Sequence, residues 1–275
     1  SSDLRVEPLL RRIRLAMAKA GLIVESVKGE CNLGQHEIAF KYTDALATCD
    51  NHVVYKTAAK EIAAQDGYAL TFMAKFNERE GNSCHIHLSF RDKKGNPVLS
   101  GDAGDGLSKE GRSYIAGIQK HMRELTLLFA PNINSYKRYQ VGTFAPTAIK
   151  WGRDNRTCAL RLVGQGQSLR VENRVPGGDV NPYLAVAGMV AAGLSGIQEN
   201  LELEPIFQGN AYALETDRVP TSLKEARDLW ANSTWVRDTF GADVQKHYTH
   251  MADTELDAYG RAVTDWERFR SFERM

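Results

Sequence analysis

The stretch "NRTCALRLVGQGQSLRVENRVPGG", residues 155–178, decides how this chain folds. It reads as two strands joined by a loop bracketed by Gly164 and Gly166, and both strands carry arginines. Side chains alternate between faces along a strand, so Arg170, Glu172 and Arg174 share one face: a carboxylate flanked by two guanidinium groups. An ion-pair ladder with a purely structural role accounts for that pattern. A second strand carrying Arg156 and Arg161 changes the balance, because so many like charges are costly to hold together unless anions neutralise them. Arginine forks that outnumber local acids suit phosphate and carboxylate, which they bind bidentately.

Working outward, "GNSCHIHLSF" (81–90) alternates apolar and polar residues. Cys84, Ile86, Leu88 and Phe90 would face a core; His85, His87 and Ser89 would face the other way. An H-x-H pair fits an exposed strand face as well as half of a histidine metal site. "GECNLGQHE" (29–37) sets Glu30 and Glu37 on either side of a turn, where they are either solvated surface acids or oxygen ligands for a divalent cation. "NSYKR" (134–138) adds Lys137 and Arg138. Carboxylates, histidines and at least five arginines are what metal-dependent phosphoryl transfer requires. The chain has neither the G-x-x-x-x-G-K-[ST] loop nor the kinase signature set, so a nucleotide would be held some other way.

The rest of the pattern is mixed. Leu9, Leu10, Ile13 and Met17 recur at helical spacing, with Pro8 suited to a first turn and Gly21 to a stop. Residues 22–28, 36–40 and 68–76 read as strands, and 50–65 as a helix capped by Asp50 or Asn51. A further helix spans about 111–129. The helix from Pro182, "PYLAVAGMVAAGLSGI", is apolar nearly all round and calls for burial in a core or an oligomer. From Ser222 onward amphipathic helices run to "DWERFRSFERM". Strands among helices without regular βαβ alternation predict an α+β fold.

Composition narrows the function. A net charge of +1 over 275 residues argues against nucleic acid or an anionic membrane as partner. Four scattered cysteines, none in C-x-x-C, read as thiols of a reducing compartment, and the cytoplasm is the expected location. The opening "SSDLRVEPLLRRIRLAMAKAG" enters a helix directly, as in a fragment of a longer protein.

"GECNLGQHEI", "CHIHLSF", "NSYKR", "NRTCALR", "RVENRVPGGDVNPYLAVAGM" and "DWERFRSFER", in that order, resemble the catalytic domain of the glutamine synthetase family, nearest its bacterial class I-like branch. The resemblance implies one domain over residues 1–275, a curved, mainly antiparallel sheet with surrounding helices, as in the glutamine synthetase and guanido kinase catalytic fold. It implies an ATP-dependent ligase that phosphorylates the γ-carboxylate of glutamate and then joins it to ammonia or an amine. Two Mg²⁺ or Mn²⁺ ions are implied, the first on Glu30 and Glu37, the second on His85 and Glu172. Arg138, Arg174 and Gly81 would bind glutamate; His87, Ser89, Arg156, Arg161 and Arg170 the nucleotide. Arg138, Arg156 and Arg174 would serve catalysis. Family members form homo-oligomers of stacked rings, commonly dodecamers.

Three departures stand out. The family's small N-terminal β-grasp domain and its first catalytic strand, with two more metal-ligand glutamates, have no counterpart here. Glu80-Gly81 replaces an asparagine–glycine pair. Phe144 stands where enzymes that use ammonia carry a glutamate, which implies an acceptor amine larger than ammonia, such as a polyamine or ethanolamine. The competing expectations are an ammonia-using glutamine synthetase, a catalytically silent structural member of the family, and a phosphagen-type kinase. Tyr212 falls near a tyrosine that some relatives adenylylate, but its neighbours differ and a plain surface tyrosine is expected. His36, His52, His121, His247 and His250 match no functional motif.

Overall fold

The computed structural model describes residues 2–102 and 104–274. Two sheets and nine helices organise the described residues. Strands β3 (Ile86–Leu88), β4 (Trp151–Arg153), β5 (Leu160–Val163) and β6 (Arg170–Asn173) form one sheet in the order β3-β6-β5-β4. Its β3–β6 and β5–β6 pairings are antiparallel, and β4–β5 is parallel. The α+β expectation holds, with one parallel pairing added by the β4 strand that sequence reading missed.

Register makes this sheet two-faced. One rung runs Ile86, Asn173, Leu160, Trp151 and another Leu88, Val171, Leu162, Arg153. Their apolar members pack into the main core with helices α3 (Lys109–Phe129) and α5 (Pro182–Gln198). The rung between them, His87, Glu172, Arg161 and Gly152, therefore faces the other way. The expected site residues of this sheet, His87, Arg161, Arg170 and Glu172, lie on that second face.

Helix α5 buries one side only: Ala185, Gly188, Met189, Ala192, Gly193 and Gly196 are buried, and Leu194 stays 47% exposed. Of the burial expected in a core or an oligomer, the core of the described residues supplies this one side. The small residues of α5 let two backbones meet. A Cβ on Gly196 would fall 2.1 Å from the Ser113 carbonyl oxygen, and one on Gly117 2.2 Å from that of Ala192.

A second apolar cluster joins helix α1 (Ser2–Lys19) to helix α2 (Ala45–Gln65) through Leu9, Ile13, Met17, Leu22, Ala59 and Ala63. It is roofed by the hairpin of β1 (Val24–Gly29) and β2 (His36–Phe40). Helix α1 runs through Pro8 instead of starting there. Helix α2 begins earlier than expected because Asp44, whose side chain accepts from Ala47 N at 3.0 Å, is its cap. Residues 68–76 are not a strand. Asparagines take their backbone groups: Asn82 Nδ2 donates to Met73 O at 2.7 Å, and Asn134 exchanges two bonds with Lys75, at 2.8 and 2.9 Å. Beyond these, α4 (Ile133–Tyr136) introduces Arg138, and α6 to α9 (Leu223–Asn232, Thr234–Phe240, Ala242–Arg261, Asp265–Ser271) close the C-terminal side.

Two measurements check this packing. Gly196→Ala drives a methyl into the α3 backbone and should destabilise by about 1–3 kcal/mol in urea unfolding; an unchanged midpoint contradicts the close approach. Burial also pushes the His52 imidazole on α2 down to about 4 from 6.5. Between those values the unfolded chain binds a proton that the fold refuses, so stability should fall as pH drops from 6.5 toward 4. His52→Asn should flatten that part of the profile.

Candidate active site

Glu172 is the centre of the polar face, only 2% exposed. Arg174 Nη1 donates to its Oε1 at 2.7 Å and Arg161 Nη1 to its Oε2 at 2.9 Å. His85 Nδ1 lies 3.2 Å and His87 Nε2 3.7 Å from Oε1. Burial alone would raise this carboxyl, but the His85 hydrogen bond and the Arg174 charge outweigh it and hold it well below the usual carboxylate range. Glu172 is therefore an anion inside a positive collar. Arg161 is bound on its far side by Asp154, a residue that sequence reading passed over. Asp154 sits at φ 50°, in the left-handed region, where aspartate is tolerated better than most side chains.

Burial pushes the His85 imidazole down to about 4 against the pull of Glu172, so it is neutral at neutral pH. Its Nε2 is buried without a partner. His87 is also shifted down by burial, and its Nδ1 accepts from Arg170 Nε at 3.3 Å. The strand expected over 81–90 forms regularly only over β3, so Ser89 lies beyond its end and is exposed.

Arg138 is 1% exposed. Its Nη1 donates to Ser83 Oγ at 2.9 Å, its Nη2 to the Val175 carbonyl, and it stacks 5.1 Å from the Tyr139 ring. Gly81 lies against its stem: a Cβ there would fall 2.6 Å from Arg138 Cγ and 2.4 Å from the Ala74 carbonyl oxygen. That contact demands glycine. The Nε atoms of both Arg138 and Arg174 are buried without partners.

Glu30 and Glu37 are brought together by the β1–β2 hairpin, and Lys28 Nζ bridges them, 3.3 Å from each. The turn between them is pinned beside Gly81. Asn32 Nδ2 donates to Glu80 O at 2.8 Å, and Gln35 Nε2 to Gly81 O at 3.0 Å and Asn82 Oδ1 at 2.7 Å. Sequence reading missed Lys28, Asn32 and Gln35; neither the register that sets Lys28 opposite Glu37 nor the tie to residues 80–82 has a local signal.

Two expected residues stay outside these networks. Arg156 is exposed, with no hydrogen bond or ion pair among the described residues. Phe144 is 54% exposed at φ 58°, a strained backbone for a bulky side chain. Its loop is tied to Arg138, whose carbonyl accepts from Thr143 Oγ1 at 3.1 Å.

The donor set suits hard divalent cations: carboxylate pairs, and one neutral imidazole with an unpartnered nitrogen. Among the described residues, no group of three or more His, Cys, Asp or Glu side chains is arranged to hold a metal ion. No helix among them is long and apolar enough to cross a membrane.

Residues 2–271 match the family model described as glutamine synthetase, catalytic domain. Over 271 residues the chain is 64% identical to a γ-glutamylethanolamide synthetase, GlnA4, of Streptomyces coelicolor, covering 98% of this chain and 58% of that protein. It is 37% identical to a glutamate–isopropylamine ligase of a Pseudomonas species, again over 95% of this chain and 58% of the relative. A solved structure, GmaS without ligand, superposes with a TM-score of 0.90 at 30% identity, covering 98% of this chain and 64% of that one. The chain thus spans less than two thirds of these relatives.

Glu172→Gln leaves Arg161 and Arg174 facing a neutral amide. Breaking a buried ion pair in this way should cost about 3–5 kcal/mol in urea unfolding. A change below about 1 kcal/mol would mean that the array does not depend on this carboxylate.

Proposed function

This chain belongs to the glutamine synthetase family, and on that footing we propose that its parent protein is an ATP-dependent ligase joining the γ-carboxylate of glutamate to a small organic amine. The observation that carries the reading is the Glu172-centred array beside Arg138. Buried guanidinium groups keep donors that no protein acceptor takes, as a site for an anionic substrate requires. The whole chain is read as one catalytic domain.

The reaction has two steps. An oxygen of the glutamate γ-carboxylate attacks the γ-phosphorus of ATP, and ADP leaves; the neutral amine then attacks the acyl carbon, phosphate departs with that oxygen, and the proton lost from nitrogen passes to phosphate or solvent. Arg138 and Arg174 hold glutamate and its phosphorylated form, with Gly81 giving backbone access. Arg156, Arg161 and Arg170 take the phosphates of ATP, with His87 and Ser89 on the nucleotide side. The guanidinium of Arg156 is free to swing onto a phosphate, whereas Arg161 and Arg170 are held in place by Glu172 and His87. Fixed positive charge at these positions stabilises the negative charge that spreads over the phosphoryl group in transit.

Two Mg²⁺ or Mn²⁺ ions would be held here, one by Glu30 and Glu37, the other by His85 and Glu172. They would neutralise phosphate charge. Lys28 would have to release the Glu30–Glu37 pair for the first ion. Each pair supplies only part of a shell, leaving room for substrate oxygens, water and protein ligands from beyond these residues. A cytoplasmic homo-oligomer of stacked rings is the expected assembly.

Phe144 carries the choice of acceptor. Its ring cannot draw an ammonium ion or take its proton, but it can pack on the carbon chain of an amine. Its strained backbone marks a position held for use instead of stability. Two named relatives point the same way, since their acceptors by name are ethanolamine and isopropylamine. An ethanolamine-sized acceptor fits best.

The test is phosphate release and amide formation by the full-length enzyme with glutamate, ATP, Mg²⁺ and either ammonium or a panel of amines. A small amine should be preferred over ammonium by at least about tenfold in kcat/KM. Phe144→Glu should move the preference toward ammonium. Ammonium saturating at low concentration and outperforming every amine would contradict the reading.

A further inference from the structure

Arg138 is 1% exposed, yet it makes no ion pair with any of the described residues. Its Nη1 and Nη2 donate to the Ser83 hydroxyl and the Val175 carbonyl, both neutral acceptors. A guanidinium held this deep calls for an anion nearby.

Asp179 supplies one. Its Oδ1 is buried without a partner, as is Arg138 Nε. Both atoms border the same notch at Gly177, where a Cβ would fall 2.7 Å from Asp179 Oδ1 and 3.6 Å from Arg138 Nε. A buried acceptor and a buried donor thus lie close together beside the space that a side chain at 177 would take. Neither reaches water, so the two charges act on each other with little screening.

The carboxylate is also fixed in place. Asn132 Nδ2 and Ser135 Oγ donate to its Oδ2 at 2.8 and 2.6 Å, at the start of the α4 turn that leads into Arg138. The segment before it is tied on several sides. Cys84 N donates to Pro176 O at 2.9 Å, Gly177 N to Phe129 O at 3.2 Å and Gly178 N to Asn82 O at 2.9 Å. Lys56 Nζ adds a bond to Gly178 O at 2.7 Å.

We propose that Asp179 is a positioning residue for Arg138: Oδ2 anchors the α4 turn, and Oδ1 is the counter-charge that holds the Nε side of the guanidinium toward Gly177. Arg138 then meets its substrate through the N–H that each Nη group still has free. Asp179 itself touches no substrate. The inference rests on the ligase reading for the identity of that substrate, and it assigns a carboxylate of glutamate to the terminal Nη edge of Arg138.

The experiment introduces Asp179→Asn into the full-length enzyme, in the wild-type and the Arg138→Met backgrounds. The substitution keeps the shape and an oxygen for Asn132 and Ser135, and removes the charge. In wild type it should raise the KM for glutamate about tenfold, while the KM for ATP stays within about twofold. The rise in melting temperature produced by glutamate should shrink in parallel. Without ligand, Asp179→Asn should lower the melting temperature of wild type but leave that of Arg138→Met unchanged or raise it, since the carboxylate there has already lost its counter-ion. An equal loss in both backgrounds would mean that Asp179 serves only the α4 turn, and would overturn the proposal. A glutamate KM equal to wild type would overturn it as well. If Arg138→Met does not fold, the split between the two KM values decides. If the wild-type enzyme forms no amide, the ligase reading fails, and the unliganded melting temperatures still decide whether Asp179 acts through Arg138.

Discussion

One buried carboxylate organises the catalytic face. Glu172 sits near the middle of a four-stranded sheet, with His87 opposite on one neighbour and Arg161 on the other. An isolated buried charge is costly, and here it is tolerated because two guanidinium groups bond it directly. The converse holds equally. Arg161 and Arg174 would repel each other across this face without an anion between them. With Arg170 on the same face, the sheet carries more positive than negative charge there.

From that constraint the neighbouring geometry follows. Arg174 is buried behind Glu172, and Arg138 is clamped by Ser83 and Val175, so both present fixed donors and lose little freedom on binding. Such rigidity needs close packing, and Gly81 supplies it by letting the chain ride over the Arg138 stem. The Asn32 and Gln35 bonds then carry the Glu30–Glu37 turn to the same place. At Phe144, where the proposed function puts the choice of acceptor, the packing loosens: the side chain is exposed and its backbone strained, on a turn that Thr143 ties to Arg138. Rigid charge recognition and an adjustable rim are what the proposed ligase would need, with its anionic substrate fixed and its amine the variable part.

Sequence reading reached the polar face because strand alternation is a strict rule: Arg170, Glu172 and Arg174 could only share a side, and His85 and His87 could only share another. It reached the helices wherever apolar spacing was regular. It failed where side chains replace backbone pairing. Residues 68–76 look like a strand by composition, yet Asn82 and Asn134 satisfy their backbone groups, a solution invisible to periodicity. Helix α5 reads as apolar nearly all round, but composition does not show that its small residues serve one close crossing with α3. Lys28 between two glutamates and Asp154 behind Arg161 are long-range or turn-borne ion pairs that no local pattern marks.

The central claim is that this charged face activates a carboxylate by phosphorylating it. Isotope transfer tests that most directly. Glutamate labelled with ¹⁸O in its γ-carboxylate is incubated with ATP, Mg²⁺, an amine and the full-length enzyme, and the released phosphate is analysed by mass. The account predicts that each phosphate carries one ¹⁸O taken from glutamate, matched by one amide formed. Phosphate free of the label, with its new oxygen drawn from water, would contradict it.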